Sequence, residues 1–379
     1  MGDRVWGRRR RAESRTLGVA ASDVTDALKR QAMGFLAFWK KARRGWRRLT
    51  RPNPWAERTS FYRKMWEEAA ASIDATVVDL GGSVLEVRRG PARIRVCDKF
   101  TPADDPVTIR VTEDRVLANR LFAENGVLVP RHSVFHLGDL EQAWSFVTSL
   151  GKPAVVKPAR GSDGGNGVTG GVARKRDLAS AMALAGAFCE QVIVEEEIRG
   201  DTFRLLYLDG VLLDAVRRHP LTVRGDGSSS LRRLISQQGG ADARTVRLLR
   251  DRDMQWTLRR RGYSLRSVPR AGEVIRLRTV VRGTREENVR AVGDLCESVI
   301  RSGANAAAAV GARLAGVDLI TTDPSLSLEQ SHGAVIEVNT PPGLYYHYVT
   351  DKGSAPVARA ILERLLSEEP SGESARSGE

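Results

Sequence analysis

Two apolar, strand-like runs in the C-terminal third of the chain each contain acidic residues. Asp318 lies in the first run, 314–320, and Glu337 and Asn339 end the second, 334–339. Side chains two residues apart on a strand share a face, so Glu337 and Asn339 are expected to point at one spot. Carboxylates inside Val- and Ile-rich strands are costly to bury unless a partner compensates their charge. The chain must therefore fold so that something binds these groups.

Grouped oxygen ligands of this kind suit Mg2+. This ion takes one or two carboxylates and completes its octahedron with waters and nucleotide phosphates. Asp318, Glu337 and Asn339 are therefore predicted to bind Mg2+. The alternative is that both carboxylates lie at strand ends and face water. An upstream segment with the composition of a phosphate-binding loop favours the metal.

That upstream segment is a strand-like run, 153–158, which carries Lys157 and continues into a glycine-rich stretch, 159–168. Glycines let backbone N–H groups approach an anion closely, and a lysine adds a point charge for phosphate oxygens. The segment is not a P-loop, because no Gly-Lys-Ser/Thr opens a following helix. It is not a dinucleotide-binding fingerprint either, since its lysine precedes the glycines. A plain hairpin turn is the alternative.

Three consecutive glutamates, Glu195, Glu196 and Glu197, follow another apolar run, 191–194. A carboxylate at a strand end can accept a hydrogen bond from an adenine amino group, while adjacent backbone groups read the edge of the ring. Three glutamates in a row also occur as a solvated turn. The order along the chain favours a nucleotide site, because a lysine–glycine loop precedes the acidic strand end and the metal-binding pattern follows it.

Positive charge is concentrated at the N-terminus. Residues 1–65 contain 18 Lys/Arg and 5 Asp/Glu, whereas the remaining residues contain 42 and 41, respectively. The basic character is therefore assigned to an N-terminal extension, residues 1–54, partly disordered and partly helical. Its basic, tryptophan-containing helix at 23–49 would contact an anionic membrane or RNA. A solvated helix packed on the body of the protein is the other interpretation.

The three cysteines lie far apart, at Cys97, Cys189 and Cys296, and the five histidines form no cluster. This pattern indicates neither a disulfide framework nor a zinc site, and it fits a reducing compartment. No apolar run approaches the roughly 20 residues that span a bilayer. The stretch after the arginines at 8–11 is too short and too weakly apolar for a signal peptide. The sequence therefore predicts a cytoplasmic protein.

Strands and helices alternate along most of the chain, which predicts an α/β architecture built of α+β lobes. A small N-terminal α/β lobe is expected at 55–110, with a helix from about 61 to 75. The larger domain is expected at 114–367, with one helix at 112–124 leading into it. A polar tail, 368–379, ends the chain.

The order of these motifs resembles the ATP-grasp superfamily, and within it the ATP-grasp portion of cyanophycin synthetases and related peptide ligases. The resemblance runs from about 114 to 366 and also rests on the segments 218–227, 262–269 and 337–343. It implies two α+β lobes that close over ATP, with two Mg2+ ions, or Mn2+ in their place. The murein-ligase-like C-terminal domain of true cyanophycin synthetases is expected to be absent.

The resemblance implies that Lys157 holds the α- and β-phosphates beneath a covering loop, and that Arg278 lies near the γ-phosphate. The loop residues concerned are Gly161, Ser162, Gly164, Gly165 and Gly167. Arg115 stands where the family usually has a second phosphate-binding lysine, and a planar fork is not a point charge. The stretch after Arg278 is shortened to 279–284. Handling of the γ-phosphate or choice of acceptor is therefore expected to differ.

At the base of the nucleotide, the resemblance places Glu195 beside the adenine. The Glu196 carbonyl and the Ile198 N–H would read the edge of the ring. Thr202 stands where the family has a ribose-binding carboxylate, and Asp201 is expected to serve instead.

The reaction implied is the joining of a carboxylate to an amine. Transfer of the γ-phosphoryl group gives an acyl phosphate, from which an attacking amine expels phosphate. Such chemistry needs positioning and cations rather than a nucleophilic triad. Arg218 is predicted to clamp the acyl substrate, with Arg217 behind it, although a surface salt bridge is an alternative. The loop 341–347 is expected to line the acceptor pocket, with His347 in a positioning or structural role.

Other functions stay open. A phosphotransferase would use the same ATP site without forming an acyl bond. A non-catalytic nucleotide-binding module would be tethered by the basic extension to RNA or a membrane. A ligase acting on an RNA- or carrier-bound substrate would use that extension as a dock. The expected partners are amino acids or small peptides, together with further copies of the chain in a homo-oligomer.

Overall fold

The computed structural model describes residues 54–162, 165–239, 248–249, 251–278, 288–350, 353 and 355–368. Four predicted features lie outside these residues: the basic extension up to residue 53, Gly164, the stretch 279–284 and the tail from 369. Among the described helices, none combines the length and the apolar character needed to cross a bilayer.

The chain divides into two compact units, Met1–Arg58 and Thr59–Glu379. The described part of the first unit is the start of helix α1 (Pro54–Ala71). Pro54 is its first residue, a position where the missing N–H of proline sacrifices no intrahelical hydrogen bond. The helix therefore begins and ends earlier than the span of 61 to 75 predicted from the sequence.

Helix α1 packs on a three-stranded antiparallel sheet formed by β1 (Thr76–Gly81), β2 (Val84–Arg89) and β3 (Ala92–Cys97). The buried face of the helix carries large rings, and these meet the apolar side of the sheet. The buried residues are Tyr62, Met65 and Trp66 from the helix and Leu85, Val87 and Val96 from the strands. The indole N–H of Trp66 donates to the carbonyl of Asp98 at 2.8 Å.

Helices α2 (Pro106–Glu113) and α3 (Arg115–Glu124) replace the single helix predicted at 112–124. Asp114 separates them in an extended conformation. Its carboxylate accepts hydrogen bonds from the N–H groups of Val116 and Leu117 at 3.0 and 3.2 Å, which caps α3. The break fixes Arg115 at the first position of the second helix.

A four-stranded antiparallel sheet follows, with strand order β4-β7-β5-β6. Its strands are β4 (His132–His136), β5 (Ala154–Pro158), β6 (Thr169–Val172) and β7 (Gln191–Glu196). Helices α4 (Leu140–Leu150) and α5 (Lys175–Ala185) share its apolar core. The glycine-rich stretch connects β5 to β6.

A five-stranded antiparallel sheet has the order β12-β9-β8-β13-β14. Its strands are β8 (Asp201–Leu208), β9 (Val211–Arg218), β12 (Asn288–Arg290), β13 (Leu314–Thr321) and β14 (Ala334–Asn339). One face buries Phe203, Leu205 and Val317 in a core shared with helix α8 (Glu297–Ala309). The other face carries the charged residues described below.

An insertion, residues 219–277, lies between β9 and β12. It contains β10 (Thr222–Arg224), α6 (Leu231–Gly239), α7 (Arg252–Arg260) and β11 (Val274–Arg276). Its small core includes Leu231, Ile235, Met254 and Leu258. The chain ends in a short helix α9 (Tyr345–Tyr348) and in α10 (Val357–Leu366). These sheets and their covering helices confirm the predicted α/β architecture.

Candidate functional site

One face of the five-stranded sheet presents charged residues in register across neighbouring strands. Asp318 on β13 pairs with Arg204 on β8 and with Glu337 on β14. Asn339 pairs with Gly316. It follows Glu337 by two residues, so the two side chains lie on the same face of the strand. The sheet therefore brings together the three residues predicted to bind metal.

Arg204 is the buried partner of Asp318. Its Nε and Nη2 donate to Oδ1 and Oδ2 of Asp318, both at 2.6 Å. Burial acts to lower the pKa of Arg204, but the Asp318 carboxylate and, more weakly, Glu337 raise it above its ordinary value. A Cβ at Gly316 would lie 3.0 Å from Nη1 of Arg204, so a glycine here leaves room for the guanidinium.

The sequence patterns above do not single out Arg204. A signal exists, because Arg204 stands alone between Phe203 and Leu205 in an apolar strand, and arginine is almost never fully buried without a partner. Its partner is distant in sequence, so only the strand register identifies it as Asp318.

Asp318, Glu337 and Asn339 satisfy the donor requirement of Mg2+. A carboxylate offers about four lone-pair sites, and the two bonds from Arg204 leave acceptor capacity on Asp318. The described part of the chain brings together no three acidic, histidine or cysteine side chains as a metal site. Mg2+ does not need three, since phosphates and waters complete its shell around one or two carboxylates.

Arg115 connects the glycine-rich stretch to the charged face of the sheet. Its Nη2 donates to Oε1 of Glu337 at 2.9 Å, and its Nη1 donates to Oγ of Ser162 at 3.1 Å and to the carbonyl of Pro158 at 3.3 Å. The planar fork lets one guanidinium reach both sides, which a single ammonium would do less well. The residue that departs from the family pattern therefore lies at the junction of the two predicted half-sites.

Lys157 and Glu195 form a buried ion pair on the four-stranded sheet. The distance from Nζ to Oε1 is 2.7 Å, and the two side chains are only 7% and 5% exposed. Val155 is the register partner of Glu195, so Lys157 lies two residues along the same face. The residues predicted at the phosphates and at the adenine are thus direct neighbours.

Glu196 points away from this pair, because successive residues of a strand face opposite sides. Its carboxylate accepts from the N–H of Arg131 at 2.9 Å and lies 2.7 Å from Nζ of Lys152. Burial acts to raise the pKa of Glu196, but these two contacts lower it overall. Its side chain is therefore engaged away from the Lys157–Glu195 pair.

Ile198 and Asp201 lie at the passage from β7 into β8. Ile198 is half-buried in the connection, and Asp201 is the first residue of β8. The carboxylate of Asp201 accepts a hydrogen bond from Nη2 of Arg217. Any ribose contact made by Asp201 would therefore share the carboxylate with this arginine.

The glycine-rich stretch needs glycine for two reasons. Gly161, Gly165 and Gly167 have φ values of 70°, 73° and 80°, a region that other residues rarely adopt. A Cβ at Gly167 would also lie 2.8 Å from Cγ of Pro158 and 2.9 Å from the ring of Phe188. The stretch thus folds back closely onto its own strand.

Arg218 lies beside the residues predicted to bind metal, with Nη1 3.9 Å from Oδ1 of Asp318. The ring of Tyr346 covers both buried arginines, with its centroid 4.7 Å from Cζ of Arg218 and 5.3 Å from that of Arg204. The loop predicted to line the acceptor pocket therefore reaches the charged face. The expectation that Arg217 backs Arg218 is wrong, because adjacent strand residues face opposite sides and Arg217 lies over Phe203.

Arg278 is buried, at 6% exposure, and its carbonyl accepts a hydrogen bond from Nε of Arg276 at 2.9 Å. Arg276 was not predicted as a site residue. Burial lowers the pKa of Arg276, while the nearby charges of Glu197 and Asp201 act to raise it. Arg276 therefore lies within electrostatic reach of the strand end predicted to hold the adenine and ribose.

His347 makes a structural hydrogen bond, as the sequence suggested. Its Nδ1 lies 2.8 Å from Oδ2 of Asp214, and both side chains are fully buried. Asp214 also accepts from Nε of Arg290 at 3.0 Å. Burial lowers the pKa of His347, with Asp214 opposing the shift. The pair fastens the loop that carries Tyr346 to strand β9.

Comparison with known proteins gives a consistent result. No family model matches the chain. Cyanophycin synthetase of Trichormus variabilis is 31% identical over 269 residues, which cover 68% of this chain and 30% of that protein. The glutathione biosynthesis bifunctional protein of Streptococcus mutans is 28% identical over 282 residues, covering 71% of this chain and 37% of that protein.

Among solved structures, a bifunctional glutathione synthetase from Pasteurella multocida matches with a TM-score of 0.50 and 21% identity. The match covers 79% of this chain and 43% of that one. At this identity the likeness shows the fold alone, and it confirms the predicted ATP-grasp fold class. The chain spans about a third of the length of the curated relatives that it matches.

Proposed function

We propose that this ATP-grasp protein, which resembles a segment of cyanophycin synthetase, is an ATP-dependent ligase that joins a carboxylate to an amine. One observation carries the proposal: Asp318 and Glu337 lie side by side on a sheet face, and Arg115 links Glu337 to the glycine-rich stretch. The guanidinium of Arg115 thus connects the acidic residues that suit a metal ion with the loop that suits phosphate. The names of the relatives, a synthetase and a glutathione biosynthesis protein, support the same reaction class.

ATP would bind between these two groups. Lys157 would hold the α- and β-phosphates under the stretch from Gly161 to Gly167, and Glu195 would accept from the adenine amino group. A buried ion pair contributes little net stability, because desolvation of both charges offsets their attraction. The Lys157–Glu195 pair is therefore better explained by a ligand that uses both groups than by a need of the fold.

Asp318, Glu337 and Asn339 would hold Mg2+, which supplies positive charge next to the phosphate oxygens when it is bound. Arg204 would orient Asp318 through its two hydrogen bonds, so the carboxylate loses little freedom when a ligand arrives. Arg115, which already bonds Glu337 and Ser162, would hold its guanidinium between Glu337 and the phosphates. The acidic residues Asp318 and Glu337 and their arginine partners are thus held in place before the substrate binds.

The acyl substrate would place its carboxylate against Arg218, with Arg278 nearby. Transfer of the γ-phosphoryl group to a carboxylate oxygen releases ADP and forms an acyl phosphate. An amine then attacks the carbonyl carbon, and phosphate leaves as the amide bond forms. The arginines stabilise the anionic groups in both steps, and the chemistry depends on charge and positioning rather than on a nucleophilic side chain.

Glu337→Gln tests this proposal. Release of ADP from the full-length protein, measured with Mg2+, ATP and pairs of amino acids or short peptides, should fall by about 100-fold or more, as for loss of one preorganised electrostatic contact. Glu329→Gln, an exposed carboxylate outside the site, is the matched control and should behave as the wild type.

Circular dichroism should show that both variants keep their fold. Undiminished ADP release by Glu337→Gln would refute the assignment of this carboxylate. Mass spectrometry of the product separates a ligase, which forms an amide, from a phosphotransferase, which leaves a phosphorylated substrate.

A further inference from the structure

The edge strand of the four-stranded sheet contains a β-bulge. Strand β6 follows the glycine-rich stretch, and among the described strands it pairs only with β5. The register between the two strands shifts by one residue, so Gly170 and Gly171 together stand opposite the single residue Val155. Gly171 has a φ of 65°, which glycine adopts without strain. A bulge of this kind leaves backbone groups of the extra residue outside the strand ladder.

Helix α7 of the insertion supplies donors for one of these backbone groups. Trp256 and Arg260 are four residues apart and lie on one face of the helix. Nη1 of Arg260 donates to the carbonyl of Gly170 at 2.9 Å, and the indole N–H of Trp256 donates to the same oxygen at 3.4 Å. Met254 and Leu258 are buried in the core of the insertion. The helix is thus held by its apolar side chains and contacts the edge strand with its polar ones.

Gly171 makes room for this contact. A Cβ at this position would lie 1.4 Å from Nη1 and 2.0 Å from Cζ of Arg260, so the guanidinium rests directly on the backbone of the strand. All four residues of β6 are buried, although β6 is an edge strand. Proteins commonly cover a strand edge with another element, and here the insertion does so.

The contact between Arg260 and Gly170 connects the two sheets of the proposed nucleotide site. The insertion continues from β9 of the five-stranded sheet, and the N–H of Leu277 donates to the carbonyl of Leu221 at 2.7 Å, which closes its base. Its helix α7 reaches the four-stranded sheet through Arg260. The insertion therefore links the sheet that carries Asp318 to the sheet that carries Lys157.

This contact also lies at one end of the glycine-rich stretch. The other end is fixed at Ala159, whose carbonyl accepts from the N–H of Arg115 at 3.0 Å and whose N–H donates to the carbonyl of Gln191 at 3.1 Å. Glycines restrict the backbone little, so a stretch rich in them is positioned mainly by its ends. A shift of β6 would therefore displace the stretch proposed to cover the phosphates.

We propose that Arg260 is a positioning residue: it fastens the insertion to the edge strand and thereby holds the glycine-rich stretch over the phosphates of ATP. The inference rests on the proposed function, which assigns this stretch to the phosphates. Arg260 acts through the carbonyl of Gly170 rather than through the nucleotide. Loss of the contact frees one end of the stretch, so bound ATP dissociates more readily.

Arg260→Gln tests the proposal in the full chain. Titration calorimetry with Mg2+ and ATP should show binding about tenfold weaker than in the wild type, as expected for loss of one hydrogen bond from a charged donor. Arg260→Lys keeps a charged donor and should bind ATP within about threefold of the wild type. The midpoint of urea unfolding should be the same for all three proteins.

The matched control is Arg259→Gln, which removes the same charge from a neighbouring exposed position of the helix. This variant should bind ATP as the wild type does. Equal weakening in Arg259→Gln and Arg260→Gln would assign the effect to net charge and overturn the proposal. Unchanged ATP affinity in Arg260→Gln would overturn it as well.

Hydrogen exchange without nucleotide tests the contact itself. In Arg260→Gln, peptides covering residues 159–172 should exchange faster than in the wild type, because the end of the stretch is no longer held. Peptides covering β13 (Leu314–Thr321) should exchange at the wild-type rate. Equal exchange of residues 159–172 in both proteins would show that Arg260 does not hold the stretch.

Gly171→Ala approaches the same contact from the strand, since its methyl group displaces the guanidinium. ATP binding should weaken at least as much as in Arg260→Gln. The double variant Gly171→Ala/Arg260→Gln should bind within about twofold of Gly171→Ala, because both substitutions remove one contact. Losses that multiply in the double variant would contradict a shared contact.

These assays measure ATP binding and exchange rather than product. A wild-type protein that binds ATP but forms no amide product refutes the ligase assignment and leaves the role of Arg260 standing. Unchanged ATP affinity in Arg260→Gln, in a protein that forms amide products, refutes the role of Arg260 alone.

Discussion

Arginine residues have opposite roles in two regions of this molecule. On the charged face of the five-stranded sheet, Arg204 and Arg218 are buried beneath Tyr346 and lie beside Asp318. On the insertion, Arg232 and Arg266 are exposed and form no salt bridge within the described chain. Burial demands a fixed partner for each charge, whereas an exposed charge is solvated by water and needs none.

The difference also separates what each arginine contributes to folding. A buried cation that loses its partner leaves an uncompensated charge, which is strongly destabilising. An exposed cation is screened by water and salt, so its removal changes stability little. Substitutions in the two regions should therefore differ most in the free energy of unfolding.

Arg204→Met should have the largest effect. It leaves Asp318 buried without its partner, and the free energy of unfolding should fall by about 3–5 kcal/mol in urea titrations. The double variant Arg204→Met/Asp318→Leu should recover much of that loss, because two apolar residues replace the pair. A double variant as unstable as the single one would show that packing of Arg204, rather than its charge, stabilises the sheet.

Arg115→Lys concerns an arginine between the two extremes, since its side chain is 11% exposed. A lysine keeps the charge, but its compact ammonium lacks the planar fork that bonds Glu337 and Ser162 at once. Loss of one charge-assisted hydrogen bond of about 1.5–3 kcal/mol predicts a rise in KM for ATP of roughly tenfold or more. Steady-state kinetics with varied ATP measures this, and an unchanged KM would remove Arg115 from the nucleotide site.

Titration of His347 should make the stability of the protein depend on pH, and the charges of the sheet face influence this titration. Its pKa is lowered by burial, and Arg204 and Arg218 add to that shift while Asp214 opposes it. Unfolded chains therefore take up a proton at His347 more readily than folded ones. The contribution of neutral His347 to the free energy of unfolding should be fully present above about pH 6.5. It should decline as the pH falls below that value, by at most about 1.4 kcal/mol per pH unit.

The control variant is His347→Gln, which keeps a hydrogen-bond donor for Asp214 but does not titrate. Urea titrations between about pH 5.5 and 7.5 should show a shallower decline for this variant. A decline as steep as in the wild type would assign the pH dependence to other groups.

Arg266→Gln should have the smallest effect on stability, because Arg266 is exposed and has no acidic partner in the described chain. Its free energy of unfolding should stay within about 0.5 kcal/mol of the wild type. A larger destabilisation would mean that this arginine supports the insertion itself and would weaken the contrast with Arg204.

Much of the fold follows from local sequence patterns. The apolar strands around Lys157 and Asp318 form as predicted, because short runs rich in valine and isoleucine pack well on a buried sheet. The helix predicted at 112–124 divides at Asp114, because a side chain that caps a new helix competes locally with continuation of the old one. Boundaries are thus decided by single capping groups that an apolar pattern does not reveal.

The candidate site could be predicted only in part from local sequence patterns. The grouping of Glu337 with Asn339 follows from their spacing, but the pairing of Asp318 with Arg204 joins residues that are distant in sequence. The engagement of Glu196 with Lys152 and of Asp201 with Arg217 arises in the same way. No local pattern encodes such pairs, because they depend on the register between strands.

The sequence by itself determined which residues carry charge inside apolar strands, since burying such residues requires a compensating partner wherever the chain folds. Only the tertiary structure decided which charges meet, because strand order and register place Arg204 against Asp318, and Arg115 against both Ser162 and Glu337. Coulomb attraction falls with distance and with solvation, so the packed arrangement decides which of these charges are neutralised and which stay open to a ligand.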